Sequence, residues 1–106
     1  MHDFKWTERE KKLARQVFDT ALHGELADLM RRCKSDAAAI AEPDELWELE
    51  ERLSRWRREI DSKYDFRYAQ LPLVFARLLR EGRIQPAQLE GLSADKQDLI
   101  ARMRQI

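Results

Sequence analysis

At 106 residues the chain fits one domain, and a chain this short buries only a modest part of its surface when it folds alone. Apolar residues make up 43% and charged residues 38%, with three Trp, two Tyr and four Phe, which excludes a disordered chain and suits helices with charged outer faces. Twenty basic residues balance twenty acidic ones with the signs mixed along the chain, so nothing in the charge draws it to nucleic acid or to an anionic membrane.

The charged start, Met1-His2-Asp3-Phe4-Lys5-Trp6, leads into no apolar stretch, so no signal peptide is expected. No apolar run approaches the roughly 18 residues that span a bilayer, and no integral membrane segment is expected. Cys33 is the single cysteine, which excludes an internal disulfide and points to a reducing cytoplasm.

Thr7-Glu8-Arg9-Glu10 has the form of a capping box and starts the first helix. Leu22, Leu26, Leu29, Cys33, Ala37 and Ile40 follow at helical spacing, with Leu13, Val17 and Phe18 extending the stripe upstream, which predicts a helix over about 7 to 41. At about 1.5 Å per residue it is a rod of roughly 50 Å, weakened only at Gly24. Pro43 disfavours helical dihedrals in Glu42 and suits the first turn of a second helix. That second helix carries a heptad seam of Leu46, Leu49, Leu53, Trp56 and Ile60, and acid-before-base spacing predicts surface pairs Glu48 with Arg52 and Glu51 with Arg55.

A polar stretch from Asp61 to Asp65 breaks the seam, which places a boundary between Asp61 and Tyr68. The apolar block Leu71 to Leu79 makes a third helix, closed by Gly82 as its C′ residue. Gln85 to Leu89 reads as one or two turns, and Ser93 caps a last helix with Leu99, Ile100 and Met103 inward. No segment alternates as a strand would. The expected fold is all-α: two long helices forming a stalk over residues 1 to 66, and a small helical head over 67 to 106. A two-helix stalk with one uncovered apolar face is unfinished, and pairing two stalks into a twofold four-helix bundle completes it. Leu22, Leu26, Leu29, Cys33, Ile40, Leu49, Leu53, Trp56 and Ile60 are the expected dimer interface.

Chemistry-bearing motifs are scarce. His2 and His23 lack partners at metal-ligand spacing, Gly24, Gly82 and Gly91 form no phosphate loop, and no Ser, His and Asp set resembles a triad. The acidic run Glu45, Glu48, Glu50 and Glu51 is followed by arginines that supply its counter-charge, so a solvated ion-pair face is the expectation. Neither a catalytic residue nor a metal or cofactor site is expected. Trp47 differs from these, because it lies beside the seam and shares about a third of the helix circumference with Glu50, Glu51, Ser54 and Arg57. Either it anchors a protein contact, as Trp and Arg commonly do, or it packs under the first helix or the head.

Glu45-Leu46-Trp47-Glu48-Leu49, Leu53-Ser54, Arg57, Glu59-Ile60-Asp61, Lys63-Tyr64-Asp65, Phe75-Ala76, Leu78-Leu79, Glu81-Gly82 and Ala94-Asp95-Lys96-Gln97 resemble the fluorescence recovery protein family over residues 44 to 100, with no gap in spacing. The resemblance implies a helical homodimer without cofactor or covalent chemistry. Such a dimer binds the C-terminal domain of the photoactivated orange carotenoid protein and speeds its return to the resting form, ending quenching of the antenna. It also implies a cytoplasmic protein, peripheral at thylakoids in a cyanobacterial host, with Trp47, Glu50, Glu51, Arg57 and Leu73 touching the partner. Trp47 and Arg57 match the family's functional stripe. Glu50 stands where a His is expected, Glu51 where an Asp is expected, and Leu73 where a Phe is expected. The alternative is a dimeric interaction module with the same scaffold and a different client.

Overall fold

Thr7 opens the first helix by the reciprocal contacts its sequence calls for: its hydroxyl accepts the Glu10 N–H at 3.1 Å, and the Glu10 carboxylate accepts the Thr7 N–H at 3.0 Å. The computed structural model describes residues 5–106, so His2 lies outside the described residues. Four α-helices and one 3₁₀ turn follow in order: α1 Glu8–Ala38, α2 Asp44–Lys63, α3 Leu71–Arg80, the 3₁₀ turn Pro86–Leu89, and α4 Ala94–Arg104. Among the described residues there is no strand.

Helix α1 stops at Ala38, three residues before the expected end. The Ala39 N–H is shared among the carbonyls of Ser35, Asp36 and Ala37, which tightens the last turn, and Glu45 turns back to accept the Glu42 N–H at 3.1 Å. Ile40 therefore sits in the turn between the helices and not on the α1 stripe, a correction to its expected place in a helical seam.

The hairpin is antiparallel, as a short turn requires. Going down α1 while going up α2, Asp36 meets Arg52 at 3.5 Å, the Arg32 guanidinium lies over the Trp56 ring at 5.1 Å, and Glu25 meets Lys63 at 2.6 Å. Arg52 was expected to pair with Glu48 and Arg55 with Glu51. Arg52 instead faces α1, which brings the Asp36 carboxylate within its reach, and among the described residues no ion pair joins either predicted couple.

Helix α1 has 31 residues and α2 only 20, so the first half of α1 extends past its partner. The head covers that half. Ala14, Val17, Phe18 and Ala21 of α1 enter one core with Leu71, Val74, Phe75, Leu78 and Leu79 of α3, Ile84, Leu89, Leu92 and Ile100. The upstream stripe of Val17 and Phe18 thus belongs to the head's core, with Leu13 packed against it. Helix α3 ends in a Schellman motif, in which the Arg83 N–H reaches Leu78 O at 2.9 Å and the Gly82 N–H reaches Leu79 O at 3.1 Å. Gly82 has φ of 72°, the left-handed value this closure needs.

A buried polar cluster ties the start of α1 to the start of α4. Glu10, besides capping Thr7, accepts the Ser93 N–H at 2.9 Å and the Lys96 ammonium at 3.2 Å, and Lys96 also donates to Lys5 O at 2.8 Å. Burial alone would raise the Glu10 pKa. Hydrogen bonds from the Thr7 and Ser93 amides and the Lys96 ammonium outweigh it, so the carboxyl titrates below its ordinary value of 4.5.

Two outcomes are expected. Gly24 lies in mid-α1 with open space around it and Gly82 in the left-handed region, so alanine should act oppositely at the two sites. Gly24→Ala should gain up to about 1 kcal/mol, and Gly82→Ala should lose about 1 to 2 kcal/mol, read as shifts of the thermal midpoint in opposite directions. The lowered Glu10 pKa gives stability that is present above about pH 4.5 and is lost as pH falls through the folded-state value. Glu10→Gln should therefore lower stability at pH 7 and flatten its dependence on pH below 4.5, followed by denaturant titration at several pH values.

Candidate functional site

Helix α2 buries Leu49 and Ile60 against the rest of the chain and leaves two surfaces outside. The first is a groove between the helices. Leu22, Leu26, Leu29, Met30 and Cys33 of α1 face Leu53, Trp56 and Ile60 of α2 across an open, mostly apolar trough of about 500 Å³, with Arg57 and Asp61 at its rim. Seven of the nine residues expected at a dimer interface meet here. Ile40 is in the turn, and Leu49 does not line the trough. Met30, 54% exposed, was missed because it stands one step off the stripe, although its spacing of four from Leu26 places it on the same face.

The second surface is the outer ridge of α2. Trp47 is 69% exposed, which excludes packing under α1 or under the head. Glu50 and Glu51 lie exposed one turn further on, and the Ser54 hydroxyl donates to Glu50 at 3.3 Å. The Arg57 side chain is 86% exposed, and its Nε stands 3.9 Å from Asp61, too far for a strong hydrogen bond. A bulky aromatic and an unclamped guanidinium therefore project from one helix, separated by two carboxylates.

Leu73 belongs to another element, α3, where it is 49% exposed while Leu71, Val74 and Phe75 around it are buried. Arg77, one turn beyond Leu73, shares a cleft with Arg55, Arg58, Glu59 and Ser62 of α2. The exposed face of the head and the flank of the α2 ridge are therefore neighbours.

Beneath this junction lies a polar network absent from the expectations. Lys63 donates to Glu25 at 2.6 Å and pairs with Glu81, the Tyr64 hydroxyl donates to Glu25 at 2.7 Å, and Arg83 pairs with Asp28 at 2.6 Å. Burial and then the Glu25 carboxylate push the Tyr64 phenol well above its ordinary pKa. Burial also opposes ionisation of Glu81, but Lys63 and Arg77 outweigh it and hold its pKa low. The one sequence signal was a Lys closing a helix just where the seam turns polar, beside an aromatic. Among the described residues, no three His, Cys, Asp or Glu side chains converge where they could hold a metal ion, and His23 is exposed.

The family model described as photoprotection regulator fluorescence recovery protein matches residues 6–104. The chain belongs to that family. It is 39% identical over 101 residues to the fluorescence recovery protein of Synechocystis sp., covering 95% of this chain and 93% of that one. It is also similar to the solved structure of the Fremyella diplosiphon fluorescence recovery protein, at 33% identity and a TM-score of 0.90 over 96% of this chain and 100% of that one. The Synechocystis structure aligns over the same shares, at 38% identity and a TM-score of 0.90. The all-helical arrangement of hairpin and head is therefore that of the fluorescence recovery proteins, a family of photoprotection regulators. Among the described residues, no helix is long and apolar enough to cross a membrane.

The long, exposed Arg57–Asp61 pair contributes little to folding. Arg57→Leu should keep the helical circular dichroism and move the thermal midpoint by less than about 3 °C. A much larger loss would assign Arg57 to the fold and not to a docking surface.

Proposed function

We propose that this chain is a non-enzymatic docking accessory. It binds the C-terminal domain of the photoactivated orange carotenoid protein through Trp47, Glu50, Glu51, Arg57 and Leu73 and accelerates return to the resting state, ending antenna quenching. The observation that carries the reading is Trp47 standing exposed on the α2 ridge in a chain of this family. An exposed Trp costs apolar hydration in the free protein, and a partner that covers it and pairs Arg57 recovers both terms.

The active species is a homodimer in the cytoplasm. Leu26, Met30 and Leu53 are uncovered in one copy, and a second copy related by twofold symmetry lays the same groove against its counterpart. The action requires no bond to be made or broken. A dimer that binds the compact or intermediate state of the carotenoid protein better than the opened one shifts the population toward the resting form, in proportion to that difference in affinity.

The second reading, a different client on the same scaffold, is favoured by one observation. Glu50 is exposed on the ridge between Trp47 and Ser54 in the chain and accepts the Ser54 hydroxyl, so a carboxylate stands among the docking residues where the family has a His. A carboxylate desolvated without a cation opposite it costs several kcal/mol, whereas at a rim it changes association rate and salt dependence more than affinity.

Timing the dark recovery of photoactivated orange carotenoid protein decides between the readings. The protein should accelerate recovery, Glu50→His should preserve or strengthen the acceleration with less dependence on salt, and Leu53→Glu should split the dimer in light scattering. No acceleration by either form at tens of micromolar would leave the different-client reading standing. A monomer at micromolar concentration before any substitution would remove the dimer.

A further inference from the structure

Lys63 closes α2, and its ammonium is where α1, α2 and α3 meet. Its side chain is 4% exposed, donates to Glu25 of α1 at 2.6 Å and pairs with Oε1 of Glu81, the residue that caps α3. The second oxygen of Glu81 accepts Arg77 Nε at 2.9 Å. Arg77 lies one turn from Leu73 and lines the cleft shared with Arg55 and Arg58 of α2. A relay of four side chains thus runs from inside the stalk to the exposed face of the head. Between α2 and α3 the backbone supplies no equivalent tie, because residues 64–70, which join them, form no helix.

Burying an ammonium is costly, and apolar side chains of similar volume often stabilise a junction as well or better. What charge-assisted hydrogen bonds add is fixed distance and direction. We infer that Lys63 is a positioning residue for partner docking: it fixes the end of α2 against the head, which the shared core already holds on α1, so that Leu73 on α3 and the Trp47 to Arg57 ridge on α2 meet one partner surface as a rigid unit. The inference rests on the docking reading above. With the end of α2 free to shift against the head, the ridge docks alone for part of the time and Leu73 adds to the affinity only in the remaining fraction.

Lys63→Met strands the Glu25 and Glu81 carboxylates at the junction and can unfold it, so Glu81→Ala is made beside it. That change leaves Lys63 paired with Glu25 and removes its link to α3, while Arg83 with Asp28 and the shared core still hold the head on α1. Each variant is titrated against photoactivated orange carotenoid protein, alone and combined with Leu73→Ala or Trp47→Ala. Glu81→Ala should raise Kd several-fold, and by no more than Leu73→Ala does alone, because the ridge still binds when Leu73 is out of place. Leu73→Ala should then add less than about twofold in the Glu81→Ala background, while Trp47→Ala keeps its full effect. Additive effects of Glu81→Ala and Leu73→Ala, or an unchanged Kd for Glu81→Ala, would overturn the inference.

A second measurement needs no partner. Spin labels at Glu59→Cys on α2 and Asp98→Cys on α4, in a Cys33→Ser background diluted with unlabelled protein, should give a narrow distance distribution that broadens on Glu81→Ala. If the unsubstituted protein does not bind the carotenoid protein, the docking reading fails and this distribution alone decides: broadening supports the lock, and an unchanged width overturns it.

Discussion

A helix of 31 residues lies against one of 20, and both run in opposite directions from a five-residue turn. The shorter helix can cover only the second half of the longer one, so Ala14, Val17, Phe18 and Ala21 need another cover and α3 with its neighbours supplies it. The same mismatch decides where α2 ends. Its last residue, Lys63, arrives beside Glu25, at the level where the head begins, so the junction between stalk and head is also the place where a buried cation can reach carboxylates from two other elements. The apolar groove follows as well, since two helices packed side by side cover each other along one line only and leave Leu26, Met30 and Leu53 in the open.

The two sides of α2 differ in kind. Toward the groove, apolar side chains offer area and little direction, the kind of surface a second copy covers without demanding any one contact. On the ridge, Trp47 and Arg57 offer a large ring and a forked donor held by almost nothing in their own chain.

The helices were legible in the sequence because their signals are local. Thr7 with Glu10, Pro43, Gly82 and Ser93 each act through backbone groups within a few residues, and the structure has a helix boundary at or next to every one of them. The groove was legible for the same reason, since helical spacing alone puts Leu22, Leu26, Leu29 and Cys33 on one face. What stayed hidden depends on partners far along the chain. Arg52 has Glu48 at ideal spacing yet spans to Asp36, and Lys63 looks like one more solvated lysine until Glu25 and Glu81 arrive from elsewhere. Trp47 was undecided because periodicity gives the direction of a side chain and not what stands in front of it.

The ties around Lys96 have a consequence for the order in which the chain acquires its shape. Lys96 grips the backbone of Lys5, 91 positions away, and Glu10 in the same cluster. The hairpin, by contrast, is built from neighbours in sequence, so it can close while the ribosome is still making the head, as domains commonly do from the N-terminal side. For that interval the Val17 and Phe18 face of α1 stands bare beside an already formed groove. The nascent chain therefore exposes an apolar surface that the finished one covers, and Lys5 and Glu10, made well before Lys96, wait for it to be fastened.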